Sequence, residues 1–455
     1  MCIRDSYSVR EDLGAVDNMS FSIPFYPVAV GFGVPAGSLA NLFTGSVPGV
    51  AGIPPLGVLS SAFLPTPSIL QGFVNGSGAP TTDTTQSPVF SGNAIDYIGL
   101  EVPLHWISPT TQQWNLTVQR ELGANWFVEL GYVGTKGTHL RVTYDPEQAQ
   151  LLGQPGFPTS LTVTAQNGTP YTITQNTVAN NEARAMNLGV DPAAYEAFSP
   201  ISDSHFNALE LTAAHHFSKG LYFQSAYTYS DSIDDVSTAS VAFLTRINNQ
   251  NDPRDSRGLS DFDHRHRWVT SFVYQLPFYK NAHGFTGSAL GGWEVSGVLT
   301  LQSGAPFTVY DAAGGTAANL ASSPAVTASF ASGFSCANSA TSGSTNSRLG
   351  NWLNPAAFTP APVVGPDGST GYGDTPRNCF IGPYQGNMDF TIGKTFALGE
   401  RGSLRFRTDF FNLTNHPSFA ITSQNDVETP PSVFTAITST VGNPRVIQFS
   451  LKYSY

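Results

Sequence analysis

Apolar and polar positions alternate with period two along much of this chain, and the clearest stretch is the last one. In residues 445–455, Ile447, Phe449, Leu451, Tyr453 and Tyr455 are apolar or aromatic, while Gln448, Ser450, Lys452 and Ser454 between them are polar. Such alternation sends successive side chains to opposite faces and predicts a strand with one greasy and one wet side. Eight earlier segments repeat the pattern, at residues 114–118, 126–132, 209–213, 223–229, 268–276, 293–301, 388–396 and 404–410. The segment at 404–410 is the most telling. Leu404, Phe406 and Phe410 share one face, and Arg405, Arg407 and Asp409 share the other. A wall between hydrocarbon and water has that character.

The connections between these segments alternate in length. Short ones fall at 123–125, 218–220 and 399–402, with a somewhat longer one at 279–292. Long ones follow Tyr132, Tyr229, Leu301 and Phe411. Transmembrane barrels have short periplasmic turns and long extracellular loops, and counting back from Tyr455 puts every short turn on the periplasmic side. A strand that closes such a barrel must stay intact to its end, because an open edge is not tolerated in lipid. A soluble two-sheet sandwich would also accommodate the terminal strand, yet it has no reason to keep this parity over nine strands. The expected fold is therefore all-β: an antiparallel transmembrane β-barrel fragment of about nine to ten long strands.

Composition fits a barrel. Only 12% of the 455 residues are charged, about half the usual ~25%, and aromatics reach the same 12%. No stretch approaches the ~18 consecutive apolar residues that a membrane helix needs. The net charge of −11 offers no basic patch for phosphates and speaks against a nucleic-acid partner. Residues 111–455 read as the C-terminal part of a barrel. Residues 1–110 read as a truncated start and an extracellular loop, with room for the remnant of one strand. Met1 to Ser6 (MCIRDS) resemble a translated sequencing adapter rather than an export signal, which is expected to lie upstream. Residues 311–383, rich in Ser, Ala, Gly, Thr and Pro, read as a long structureless loop over the mouth.

Residues 113–140 (QWNLTVQRELGANWFVELGYVGTKGTHL) resemble the barrel of TonB-dependent receptors of the Oar-like, carboxypeptidase-regulatory-domain type abundant in Acidobacteria. The likeness continues through 205–235, 260–278, 291–309, 354–362 and 403–419 (SLRFRTDFFNLTNHPSF) to the terminal strand. It implies an outer-membrane barrel of about 22 strands, filled by a plug and behind a small β-sandwich domain, that takes up a bulky nutrient. The implied partners are the lipid bilayer, TonB and the plug through upstream segments, and the barrel assembly machinery through the C-terminal strand. A passive porin and a surface adhesin or structural outer-membrane protein are the alternatives.

Candidate chemistry adds little to this picture. Asp261, His264 and His266 carry metal-binding groups, but Arg265 and Arg267 beside them disfavour a cation. Asp231, Asp234 and Asp235 have oxygen ligands of the kind Ca²⁺ takes, but solvated loop carboxylates are the plainer reading. His215 and His216 end a strand beside a short turn, where an interfacial pair is the plain reading. No nucleophile elbow frames any Ser, so no catalytic residue, cofactor or metal is expected. Arg405, Arg407, Asp409 and Lys452 are the expected lumen-facing charges. They either touch a plug or passing ligand, or form a ladder with Glu294 or Asp389. Trp114, Trp126, Trp268 and Trp293, with Tyr132, Tyr229, Tyr453 and Tyr455, suit the headgroup region. Cys336 and Cys379 share the extracellular loop at 311–383, an oxidising setting where a disulfide between them would persist. Two free thiols are the alternative.

Overall fold

The computed structural model describes residues 2–11, 69–91, 99–101, 107–123, 125–186, 188, 195–237, 246–279, 284–320, 326–398 and 402–455. Ten strands form one antiparallel path: β1 (Cys2–Glu11), β2 (Thr110–Glu121), β3 (Trp126–Tyr144), β4 (Tyr195–Ser218), β5 (Leu221–Asp234), β6 (His266–Gln275), β7 (Trp293–Gln302), β8 (Gln385–Ala397), β9 (Ser403–Phe411) and β10 (Val446–Ser454). Each pairs with its neighbours in this order, so the wall is an unbroken meander from β1 to β10. The pattern of alternating residues selects these strands because period two is the only repeat that keeps one face apolar throughout. Among the described residues, no helix is long and apolar enough to cross a membrane.

Register turns the alternation into continuous rows. Phe272, Gly297, Phe390, Phe410 and Ile447 stand opposite one another on one face. Ser296, Thr391, Asp409 and Gln448 make the adjoining row on the other. Gly297 leaves a gap in the apolar row, and the Phe272 ring fills it: a Cβ there would sit 3.0 Å from the ring. Trp114 covers Gly134 in the same way. The apolar face is not covered by protein, since Phe449 is 70% exposed and Leu451 65%. Water cannot be its solvent.

One residue departs from the expected alternation. Lys394 stands in the apolar row between Trp293 and Phe406. It is almost fully buried because its Nζ bends to the carbonyls of Ala289 and Gly291, at 2.7 Å each. These end the short helix Gly284–Leu290 in the connection after β6. The same Nζ lies 5.0 Å from the ring centroids of Trp293 and Phe396, so the charge is held between backbone carbonyls and aromatic faces rather than left to lipid.

The expectation for one loop is corrected: residues 311–383 are not structureless. The stretch 1–110, which left room for one strand, holds β1 together with a small sheet of Ile69–Val74, Pro80–Thr81 and Ser87–Ser91. Phe307, Val309, Trp352, Leu353, Phe358, Phe380, Phe434 and Ile437 pack into one core drawn from two connections. Leu70, Phe73, Leu152, Val163 and Ile173 make a second, and Leu151, Leu320, Val326 and Ala361 a third. The sequence concealed these cores because their apolar residues come singly, between Gly, Ser and Pro, from segments far apart. β3 also runs to Tyr144, well beyond the predicted end at Tyr132, and β4 spans 24 residues. A membrane strand needs only ~9–11, so the polar continuations of both lie outside the bilayer.

Candidate functional site: the lumen wall and its mouth

The charges predicted to face the lumen lie together on the polar side of β9 and β10. Gly393 of β8 stands opposite Arg407 on one side and Glu294 of β7 on the other. With no side chain at 393, Arg405 reaches over β8, and its Nη2 meets Glu294 Oε1 at 3.1 Å. Arg407 Nε donates to Asp409 Oδ1 at 2.7 Å, and Thr391 Oγ1 donates to the same oxygen at 2.6 Å. Lys452 stands directly opposite Arg405. That like-charge pairing costs stability, and Glu294 offsets it. The pairs are half exposed, so each is worth only ~0–1 kcal/mol. They make the wall wet rather than strong.

Above them the wall opens into a cavity of about 530 Å³. Its floor is the upper polar face of β7 and β8, with Thr300, Gln302, Gln385, Asn387 and Asp389; Phe411 and Val446 form one side. The far side is the turn after β9, with Asn412, His416 and Ser418, and the segment Val441 to Pro444. Asn412 and Asn415 both adopt the left-handed conformation, φ 51 for each, which asparagine tolerates better than most residues. The turn is therefore folded back and clamped. Asn412 N–H donates to Asp389 Oδ1 at 2.9 Å, its Oδ1 accepts from His416 N–H, and its Nδ2 donates to the carbonyls of His416 and Asn443. Asn415 Oδ1 accepts from Arg445 N–H. The His416 Nε2 shares a 2.7 Å hydrogen bond with Tyr384 Oη.

The metal-type residues of the sequence are taken up elsewhere. Asp234 pairs with Arg377 at 2.7 Å, both side chains nearly buried; Arg377 also reaches Asp261. Asp235 pairs with Arg257, and Asp231 with Arg265. Burial pushes the Asp235 carboxyl above the usual range, against hydrogen bonding to Asp203 N–H and the charge of Arg257. His264 Nδ1 lies 2.7 Å from Ser303 O, and His266 Nδ1 2.7 Å from Tyr227 Oη. His215 is held against the Trp126 ring and Leu221 O. These carboxylates thus bind cationic side chains of this chain, and Asp234 and Asp261, through Arg377, tie the loop after β5 to the loop after β7.

Two arginines that the sequence did not single out do similar work. Arg184, fully buried, donates to Asn180, Thr177, Asn181, Ala317 and Gln150. Burial pulls its pKa down to about 10, so it stays charged at neutral pH. Arg246, also buried, lies over the Tyr144 ring. Cys336 and Cys379 are joined in a disulfide, with Cα atoms 5.8 Å apart and a sequence separation of 43. Cys379 packs on the core around Phe380.

The fold is that of a membrane-spanning antiparallel wall with a polar lumen face. In strand arrangement it is similar to the outer membrane transporter YddB from Escherichia coli, at 10% identity over 78% of this chain and 34% of that one, TM-score 0.36. It is similar also to the siderophore receptor PirA from Acinetobacter baumannii (11%, 78% and 33%, TM-score 0.34). The ferripyoverdine receptor of the outer membrane of Pseudomonas aeruginosa gives comparable values (11%, 76% and 27%, TM-score 0.33). The chain spans about a third of the length of these proteins. A search of curated proteins finds no match. The family of the outer membrane beta barrel domain matches residues 30–448, and the chain belongs to it. The protein is an outer-membrane β-barrel protein.

Proposed function

We propose that this chain is the C-terminal part of the barrel of a TonB-dependent receptor, of the Oar-like, carboxypeptidase-regulatory-domain type, that takes up a bulky nutrient and catalyses no reaction. The observation that carries the reading is the order of the resembling sequence blocks. They follow the chain order of β2 to β7, the connection after β7, β9 and β10, and SLRFRTDFFNLTNHPSF builds both the charged lumen strip and the clamped turn at the mouth. The lumen face is polar and ion-paired, as a wall against a plug and a wet passage needs to be, and the loops above it are folded rather than loose. TonB and a plug engage through upstream segments, and the barrel assembly machinery through β10 and Tyr455.

The test is uptake by cells carrying the full-length gene, with and without TonB. Accumulation of a nutrient that requires both supports the reading. Conductance independent of TonB would assign a porin, and altered adhesion with unchanged uptake an adhesin.

A further inference from the structure

We propose that the cavity at the mouth binds an uncharged, polyhydroxylated ligand, a neutral oligosaccharide. The inference rests on the receptor reading above and names the chemistry that this site would select. Its volume of about 530 Å³ lies within the ~300–1,000 Å³ of small-molecule sites. Among the described residues that line it there is no Lys or Arg, so an anionic ligand would find no counter-charge in them, and there is one carboxylate, Asp389. Five of the lining side chains are carboxamides: Gln302, Gln385, Asn387, Asn412 and Asn443.

Carboxamides carry a donor and an acceptor side by side, which matches hydroxyl groups that both give and take a hydrogen bond. Several of these atoms are fixed yet not exhausted. Gln302 Nε2 donates to Gln385 Oε1 at 2.7 Å, which orients both amides and leaves the Gln302 carbonyl and the Gln385 amino group to a ligand. Asn387 Nδ2 and Asn412 N–H both donate to Asp389 Oδ1, leaving Oδ2 open. Phe411, 43% exposed, adds a ring face of the kind on which the C–H side of a sugar stacks. The clamped turn holds the far side in place, so little ordering remains to be done on binding.

The full-length protein, purified in detergent, is applied to an array of neutral and acidic oligosaccharides. Retention of neutral members is expected, weakened about five- to tenfold in Gln302→Leu, as for one lost hydrogen bond, and similarly in Phe411→Ala. The shape-preserving Gln302→Glu, checked with the others for heat-modifiable migration, should also weaken neutral binding. Retention of acidic members only, of none, or equal binding by all variants overturns the proposal. Neutral binding without TonB-dependent uptake would sink the receptor reading and keep the cavity assignment. TonB-dependent uptake with an empty array would do the reverse.

Discussion

In the wall, Phe449 and Leu451 stand mostly exposed, whereas in the loops Val309 and Val326 have lost all contact with solvent. The two regions keep their apolar residues satisfied by opposite means. The wall is one layer thick: it pairs its backbone strand to strand and leaves its greasy face for hydrocarbon. The loops bury theirs in closed cores, and add a disulfide and buried ion pairs as a small secreted domain does. One chain is thus built for two solvents. Conditions that destroy one region should spare the other.

The largest expected effect is in the loops. Arg377→Met leaves Asp234 buried without its cation, a loss of about 3–5 kcal/mol. Hydrogen exchange should then rise across the loops after β5 and β7, while heat-modifiable migration of the barrel is unchanged; loss of both together would break the comparison. The converse test is Phe406→Arg or Leu451→Arg, which puts a charge into the lipid-facing row at a cost of about 2–4 kcal/mol near the midplane. Gln448→Arg, on the lumen face, should assemble nearly as well as the native protein. Equal damage from both faces would show the orientation to be wrong.

Reduction of Cys336–Cys379 should cost the loops about 2–4 kcal/mol. Limited proteolysis after reductant is expected to cut between these residues and leave the strands whole. Neither thiol should react with an alkylating agent beforehand. The smallest effect is Asn412→Ala, about 1 kcal/mol from strain at a left-handed position and loss of the clamp. Faster exchange confined to the turn after β9 would register it, and a change spread along β9 would contradict its local role.

The wall was legible in the sequence because a strand facing lipid on one side must repeat every second residue. Trp114 to Val118 and Leu404 to Phe410 carry that rule in a few positions. β1 went unread although Ile3, Tyr7 and Val9 alternate with Arg4, Ser6, Ser8 and Arg10: Asp5 interrupts the greasy face, and the first six residues resemble an adapter. Lys394 escaped the rule, since its departure from the apolar row is explained only by the helix end it caps. The loops gave no period at all. Phe307, Trp352, Phe380 and Phe434 meet through tertiary contact, which no local pattern records. The mouth was not legible. The left-handed turn at Asn412 and Asn415 lay unread in the connection after Phe411, and nothing in sequence joins Gln302 to Gln385 across 83 residues.

The length of β4 sets how far this protein stands from the cell. At ~3.3 Å per residue its 24 residues run to roughly 80 Å, and at a tilt of ~40° they climb about 60 Å, against an apolar band ~25 Å tall. About 35 Å of ribbon therefore rises above the apolar band, on the side where the long loops leave the wall. The loop cores are carried on this stalk as a lantern is on a post, clear of the crowded headgroups. A large solute approaching from outside would meet them before it reached the membrane.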